Sequence, residues 1–142
     1  GCTSVTFHLE AATDVAKTIK DIRSNGAKVG LAIKPATQFA DVERWIEEID
    51  MLLIMTVEPG FGGQSFIPST LQKITQVRAR LDRYAAQTGR KIRLEVDGGI
   101  KVDNIAQVAK AGADTFVAGS AVYKADDPAQ MIRELRAEAG RS

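Results

Sequence analysis

The segment Ile92-Arg93-Leu94-Glu95-Val96-Asp97 alternates apolar and polar side chains and is followed directly by two glycines. Successive side chains of a β-strand point to opposite faces, so this pattern predicts a strand with one apolar face and one polar face. In Val5–His8 and in Val29–Lys34, apolar residues likewise alternate with small or polar ones. A sheet with helices on both sides is apolar on both faces, whereas a barrel with helices only outside keeps small or polar residues within. The alternation therefore favours a barrel.

Strand-like and helix-like segments alternate five times along the chain. Apolar spacing predicts helices over 13–25, 39–48, 69–87, 102–111 and 128–139, and strands over 4–8, 28–33, 50–56, 92–96 and 114–118. Gly26 is expected to end the first helix, because glycine readily adopts the left-handed backbone found there. Parallel strands joined by helical crossovers give an α/β fold with a parallel sheet.

Glycine-rich turns follow three of the predicted strands. They are Pro59-Gly60-Phe61-Gly62-Gly63, Asp97-Gly98-Gly99 and Ala118-Gly119-Ser120. Turns of this kind bring backbone N–H groups close to an anion. We expect a bound phosphate to contact Gly62, Gly63, Gly98, Gly99, Gly119 and Ser120.

In a barrel, four residues near the ends of the strands point inward, where barrel enzymes place their chemistry: His8, Lys34, Met55 and Asp97. A complete barrel has eight βα units, and five units within 142 residues gives about 28 residues each. We therefore expect residues 1–142 to form part of a single barrel domain from which three units are missing.

Composition excludes several classes of function. The net charge is +1, with 44% hydrophobic and 26% charged residues, so no field attracts nucleic acid or a membrane surface. The apolar runs are too short to span a bilayer. Cys2 is the only cysteine, which suits a reducing compartment and predicts a cytoplasmic protein.

Five motifs, in this order and at this spacing, resemble the ribulose-5-phosphate 3-epimerase family: Phe7-His8-Leu9-Glu10-Ala11, Gly30-Leu31-Ala32-Ile33-Lys34-Pro35, Met55 to Gln64, Glu95 to Gly99, and Ala118-Gly119-Ser120-Ala121. The resemblance covers essentially the whole chain and places it at the fourth to eighth units of a TIM (β/α)8 barrel. It implies a homo-oligomeric isomerase of the pentose phosphate pathway that interconverts D-ribulose 5-phosphate and D-xylulose 5-phosphate.

The resemblance also implies a mechanism. One carboxylate removes the proton at C3, giving a 2,3-enediolate, and a second carboxylic acid returns a proton on the opposite face. A divalent metal ion (Zn, Fe, Mn or Co), held by two histidines and two aspartates, stabilises the enediolate.

Carried onto this sequence, the resemblance makes Asp97 both a catalytic acid/base and a metal ligand. It assigns substrate contact to Gly60, Phe61, Gly62 and Gly63, and phosphate binding to Gly98, Gly99, Gly119 and Ser120. Met55 and His8 become walls of the pocket. His8 is not expected to bind metal, because the metal-binding histidines of the family lie on its second and third strands.

The other aspartate and both metal histidines of the family have no match in this chain. We therefore expect the chain alone to be inactive and not to retain a metal ion. Three alternatives remain open: a 3-epimerase of a ketohexose 6-phosphate such as D-allulose 6-phosphate, a Schiff-base aldolase using Lys34, and a non-catalytic half-barrel that binds phosphate.

Overall fold

A computed structural model of the protein describes residues 1–58 and 64–140. Its five strands form one parallel sheet in the order β1-β2-β3-β4-β5, so each strand pairs with the next along the chain. The strands are β1 (Ser4–His8), β2 (Lys28–Ile33), β3 (Met51–Met55), β4 (Arg93–Asp97) and β5 (Thr115–Val117). This confirms the predicted α/β alternation, with strand ends displaced by one residue at most.

In the described parts of the chain, six α-helices connect or follow the strands. They are α1 (Val15–Ser24), α2 (Ala40–Glu43), α3 (Thr70–Thr88), α4 (Ile105–Ala111), α5 (Ser120–Tyr123) and α6 (Pro128–Ala139). Short 3-10 helices cover Leu9–Ala11 and Ile46–Glu48. Gly26 follows α1 with a φ of 80°, as expected for a residue that ends a helix.

The sequence-based prediction of one helix over 39–48 is wrong, because the segment forms α2, a break, and a 3-10 helix. Side chains distant in sequence bind the carbonyl groups of this segment. Arg90 donates to the carbonyls of Glu47 and Ile49 at 3.1 and 2.6 Å, and Arg23 donates to that of Glu48 at 2.7 Å. Apolar spacing contains no information about such contacts.

The core lies between the sheet and the helices. Alternate residues of the central strands are completely buried, including Leu31, Ile33, Leu52, Ile54 and Leu94. The apolar face of α3 packs into the same cluster through Ile74, Val77 and Leu81. Burial of these side chains supplies the main favourable free energy of folding and fixes one face of every strand against the helices.

The opposite face, here called the inner face, carries the remaining strand residues. Pairing of the strands places these at matching levels: Thr6, His8, Gly30, Ala32, Met51, Leu53, Met55, Arg93, Glu95, Asp97, Thr115 and Val117. Most are polar or small, and Arg93 and Val117 are exposed. The alternation seen in the sequence is therefore the division between a helix-covered face and the inner face.

Candidate active site

Asp97 occupies the last position of β4 on the inner face, level with Met55 of β3 and Val117 of β5. Burial raises the pKa of its carboxyl group. Glu95 lies on the same face one level below, and burial, followed by the charge of Asp97, raises the pKa of Glu95 as well. A carboxyl group whose pKa moves toward neutrality is better suited to take up and return a proton near pH 7.

Gly98 and Gly99 follow Asp97 with φ values of 132° and 69°, which side chains rarely allow. Their surroundings are also closely packed. A Cβ at Gly98 would lie 2.5 Å from Cγ2 of Val57, and one at Gly99 would overlap the backbone N of Phe66. Both glycines are therefore required by conformation and by packing, whether or not a ligand binds.

Thr56 holds this turn against the connection between β3 and α3. Its N–H donates to the carbonyl of Asp97 at 2.9 Å, and its hydroxyl donates to that of Gly98 at 2.5 Å. The N–H of Ile67 in turn donates to the carbonyl of Thr56 at 2.8 Å. Thr56 is completely buried, so the backbone that carries Asp97 has a rigid support.

Gly119 and Ser120 follow β5, the strand next to β4, so the two glycine turns lie side by side at the carboxyl end of the sheet. Within the described residues, the N–H groups of Gly99, Gly119 and Ser120 donate no hydrogen bond to another residue. No heavy atom of the described residues lies within 4 Å of a Cβ built at Gly119. These three backbone N–H groups are therefore available to bind an anion. The predicted substrate contacts Gly60, Phe61, Gly62 and Gly63 lie outside the described residues.

His8 ends β1, three strands away from Asp97. Its Nδ1 is buried, has no hydrogen-bond partner in the described part of the chain, and lies 3.8 Å from Oε1 of Glu10. Glu10 accepts from the N–H of Lys34 at 3.0 Å and from the hydroxyl of Thr37. Burial opposes the charge of Glu10, but the bonds from Thr37 and Lys34 outweigh it and lower its pKa.

Lys73 of α3 holds the same turn from its other side, donating to the carbonyls of Lys34 and Pro35 at 3.0 and 2.7 Å. Burial lowers its pKa. Sequence reasoning assigned no role to Glu10 or Lys73. Glu10 stands two residues after the single histidine, which was the available signal, whereas the contact of Lys73 spans 39 residues and has no local signature.

The described residues contain no group of three or more His, Cys, Asp and Glu side chains arranged to hold a metal ion. Asp97 on β4 and His8 on β1 are separated by two strands and do not belong to a common group of metal-binding side chains among these residues. These donors alone do not fit the four-ligand site that the family resemblance implies, and we derive no reaction step through a metal.

A family model described as "Ribulose-phosphate 3 epimerase family" matches residues 1–123. The chain belongs to the ribulose-phosphate 3-epimerase family. Curated members of this epimerase family are similar over most of the chain. The ribulose-phosphate 3-epimerase of Escherichia coli K12 is 49% identical over 138 residues, which is 97% of this chain and 60% of that protein. Ribulose-phosphate 3-epimerase 2 of Cupriavidus necator is 51% identical over 127 residues, 89% of this chain and 53% of that protein.

The chain thus spans little more than half the length of these epimerases. Among solved structures, a 3-hexulose-6-phosphate synthase superimposes with a TM-score of 0.66 and 27% identity, covering 97% of this chain and 62% of the synthase. A thiamine phosphate pyrophosphorylase from Pyrococcus furiosus, 20% identical, gives a TM-score of 0.65 over 97% of this chain and 59% of that protein, which supports the fold alone. The chain is therefore an α/β protein with five βα units of the TIM-barrel type.

None of the described helices combines the length and the apolar character needed to cross a membrane.

Proposed function

We propose that the full-length protein containing this chain epimerises C3 of a ketopentose 5-phosphate, interconverting D-ribulose 5-phosphate and D-xylulose 5-phosphate. Family membership supports the reaction class. The observation that carries the proposal is the position of Asp97, whose partly buried carboxyl group ends an inner-face strand beside two glycine turns. Epimerisation of a sugar phosphate requires an acid/base group next to hydrogen-bond donors that can bind the phosphate.

In this proposal, Asp97 exchanges a proton with C3 on one face of the sugar. The adjacent C2 ketone makes that proton acidic, and its removal leaves a 2,3-enediolate. Inversion requires a second acid on the opposite face, which the family resemblance places in βα units beyond the five seen here. The metal ion that the family resemblance implies would stabilise the enediolate charge, but the residues described here do not make its site, and no step is assigned to it.

The phosphate group is proposed to bind at the two adjacent turns. Gly99, Gly119 and Ser120 have N–H groups without partners among the described residues, and backbone N–H groups bind phosphate without requiring a lysine. Gly98 is proposed to belong to the same phosphate site. Substrate contacts are proposed for Gly60, Phe61, Gly62 and Gly63. Met55, which is 8% exposed, and His8 would form walls of the same pocket.

The protein as a whole is proposed to be a cytoplasmic homo-oligomer of the pentose phosphate pathway. Residues 1–142 would form the last five units of a single barrel domain, completed by three N-terminal units. Nucleic acid and membranes are not proposed as partners, since the chain carries a net charge of only +1.

A coupled assay on the full-length protein tests the function. D-ribulose 5-phosphate and D-allulose 6-phosphate are compared at equal concentrations. Formation of D-xylulose 5-phosphate from the first and of D-fructose 6-phosphate from the second is followed with a purified downstream enzyme for each product. The pentose phosphate is expected to react with the higher kcat/KM. Preference for the hexose phosphate would support the second epimerase activity, and turnover of neither would reject epimerisation. Borohydride trapping with substrate should give no adduct at Lys34, which separates both from an aldolase.

A further inference from the structure

Asn104, the residue before α4, makes two side-chain hydrogen bonds next to the glycine turn. Its Nδ2 donates to the carbonyl of Gly99 at 2.8 Å, and its Oδ1 accepts from the N–H of Lys101 at 2.8 Å. The side chain is partly buried. It thus spans the turn Gly99–Lys101 and fixes both ends of it.

The turn needs such a restraint because glycine has little conformational preference of its own. Gly99 has a φ of 69° and no side chain to oppose rotation of the peptide that follows it. Rotation of that peptide, which joins Gly99 to Ile100, would reorient the Gly99 carbonyl oxygen, and a carbonyl oxygen that faces an anion repels it. The bond from Asn104 Nδ2 holds this carbonyl in one orientation.

We infer that Asn104 is a positioning residue for phosphate binding: it holds the peptide that follows Gly99, so that the Gly99 carbonyl oxygen does not turn toward a phosphate bound at the neighbouring N–H groups. This inference rests on the phosphate site of the proposed function. Asn104 itself needs no contact with the ligand. Thr56 holds the carbonyls of Asp97 and Gly98 independently, so loss of the Asn104 bonds should leave the catalytic carboxylate in place.

The test uses two variants of the full-length protein. Asn104→Leu keeps the size of the side chain and removes both hydrogen bonds. Asn104→Asp can still accept from Lys101 and remains a favourable residue before a helix, but it cannot donate to Gly99. The matched control is Asn25→Leu, because Asn25 Nδ2 donates to the Asp21 carbonyl at 2.7 Å on the exposed end of α1, away from the glycine turns.

The dissociation constant of inorganic phosphate is measured by calorimetry, and steady-state constants are measured with the sugar phosphate. Loss of one well-placed hydrogen bond predicts a dissociation constant about five- to tenfold higher in both Asn104 variants. We expect KM to rise by a similar factor, with kcat within about threefold of the parent. Asn25→Leu should leave all three constants unchanged.

The outcomes distinguish failure of the Asn104 inference from failure of the proposed phosphate site. If the parent protein binds no phosphate, the phosphate site is wrong and the inference falls with it. If the parent binds phosphate and either Asn104 variant binds it equally well, the site stands and the positioning role is rejected. A fall in kcat at constant KM would also reject that role, because it would place the effect on proton transfer.

Discussion

At the scale of single residues, the candidate site contains carboxyl groups whose ionisation reduces the stability of the folded protein. Asp97 and Glu95 lie one level apart on the same face, and burial raises the pKa of both. The ionised form of each is therefore less favourable in the folded protein than in the unfolded chain. Groups with pKa values perturbed by burial cluster at functional sites, which agrees with the acid/base role proposed for Asp97.

Asp97→Asn tests both the proposed catalytic role of this carboxyl group and its effect on stability. The amide cannot exchange a proton, so turnover by the full-length protein should fall by at least about 10²-fold. Because the pKa of Asp97 is raised in the folded state, its ionisation lowers stability as pH rises, and the neutral amide avoids that loss. We expect the variant to have a higher Tm than the parent at pH 7. The difference should shrink as pH falls toward about 3.9, where the unfolded carboxyl is also protonated.

Circular dichroism melts at several pH values provide the stability measurement. Near-normal turnover by Asp97→Asn would remove the residue from the mechanism. A lower Tm at pH 7 would instead show that the carboxylate contributes to stability.

The pKa of Asp50 is shifted in the opposite direction from that of Asp97. Burial opposes its charge, but the N–H of Val29 and the guanidinium of Arg90, at 2.8 and 2.9 Å, outweigh it and lower the pKa. Asp50→Asn should reduce the free energy of unfolding by about 2 kcal/mol at pH 7. A lowered pKa contributes stability above the unfolded pKa of about 3.9 that is lost as pH falls through the folded value, so the variant and the parent should converge in acid.

Asp21→Asn is the matched control, because Asp21 forms an exposed ion pair with Lys17 at 2.7 Å. Such pairs contribute about 0.5 kcal/mol or less. Chemical denaturation of both variants at pH 7 and pH 3.5 gives the comparison. Equal losses for Asp50→Asn and Asp21→Asn would show that the Asp50 network does not stabilise the fold.

At the scale of secondary structure, the sequence predicted the strands better than the helices. The alternation at Arg93–Asp97 placed Asp97 on the inner face correctly, because burial of one strand face leaves a period-two signal in the sequence itself. The helix expected from residue 102 begins at Ile105 instead. Asn104 binds Gly99 and Lys101 through its side chain, and these bonds shape a turn where the apolar pattern suggested helix.

Local motifs predicted Asp97 and the glycine turns as site residues. The structure places Asp97 and the turns after β4 and β5 at the same end of the sheet, and their roles stay predictions. The supporting contacts of Lys73 with Pro35, and of Thr56 with Gly98, span 38 and 42 residues. They depend on which strands become neighbours, so no local pattern contains them.

Pairing of β1 with β2 depends on the absence of a side chain at Gly30. A Cβ there would overlap Oγ1 of Thr6 and lie 2.9 Å from Cε of Met51. Gly30→Ala should therefore destabilise the protein by about 1–3 kcal/mol through overpacking. Thr6→Ala removes the overlapping oxygen, so the double variant should be less destabilised than the sum of the single variants. Urea denaturation of the four proteins measures this coupling, and strict additivity would contradict the close approach of β1 to β2.

At the scale of the whole molecule, the described sheet has two edge strands, β1 and β5. Apolar side chains are exposed on or after these edges: Val5, Val117, Tyr123 and Ile132. Edge strands with unpaired N–H and C=O groups, next to apolar surface, promote association with other chains. The chain covers 60% and 53% of two related epimerases, and we expect the remaining units of such a barrel to cover these edges.

We therefore expect the isolated 142-residue chain to self-associate and to lack epimerase activity, with or without added Zn²⁺, Fe²⁺ or Mn²⁺. Association follows from the open edges, and inactivity follows from chemistry, because inversion at C3 needs acid/base groups on both faces and Asp97 supplies one. Adding the N-terminal units, fused or as a separate fragment, should restore a defined oligomer and turnover together. Sedimentation velocity and the coupled assay, with a host-enzyme control, make the test. A monodisperse monomer turning over at about 1 s⁻¹ or faster would show that the two-carboxylate mechanism is assigned wrongly.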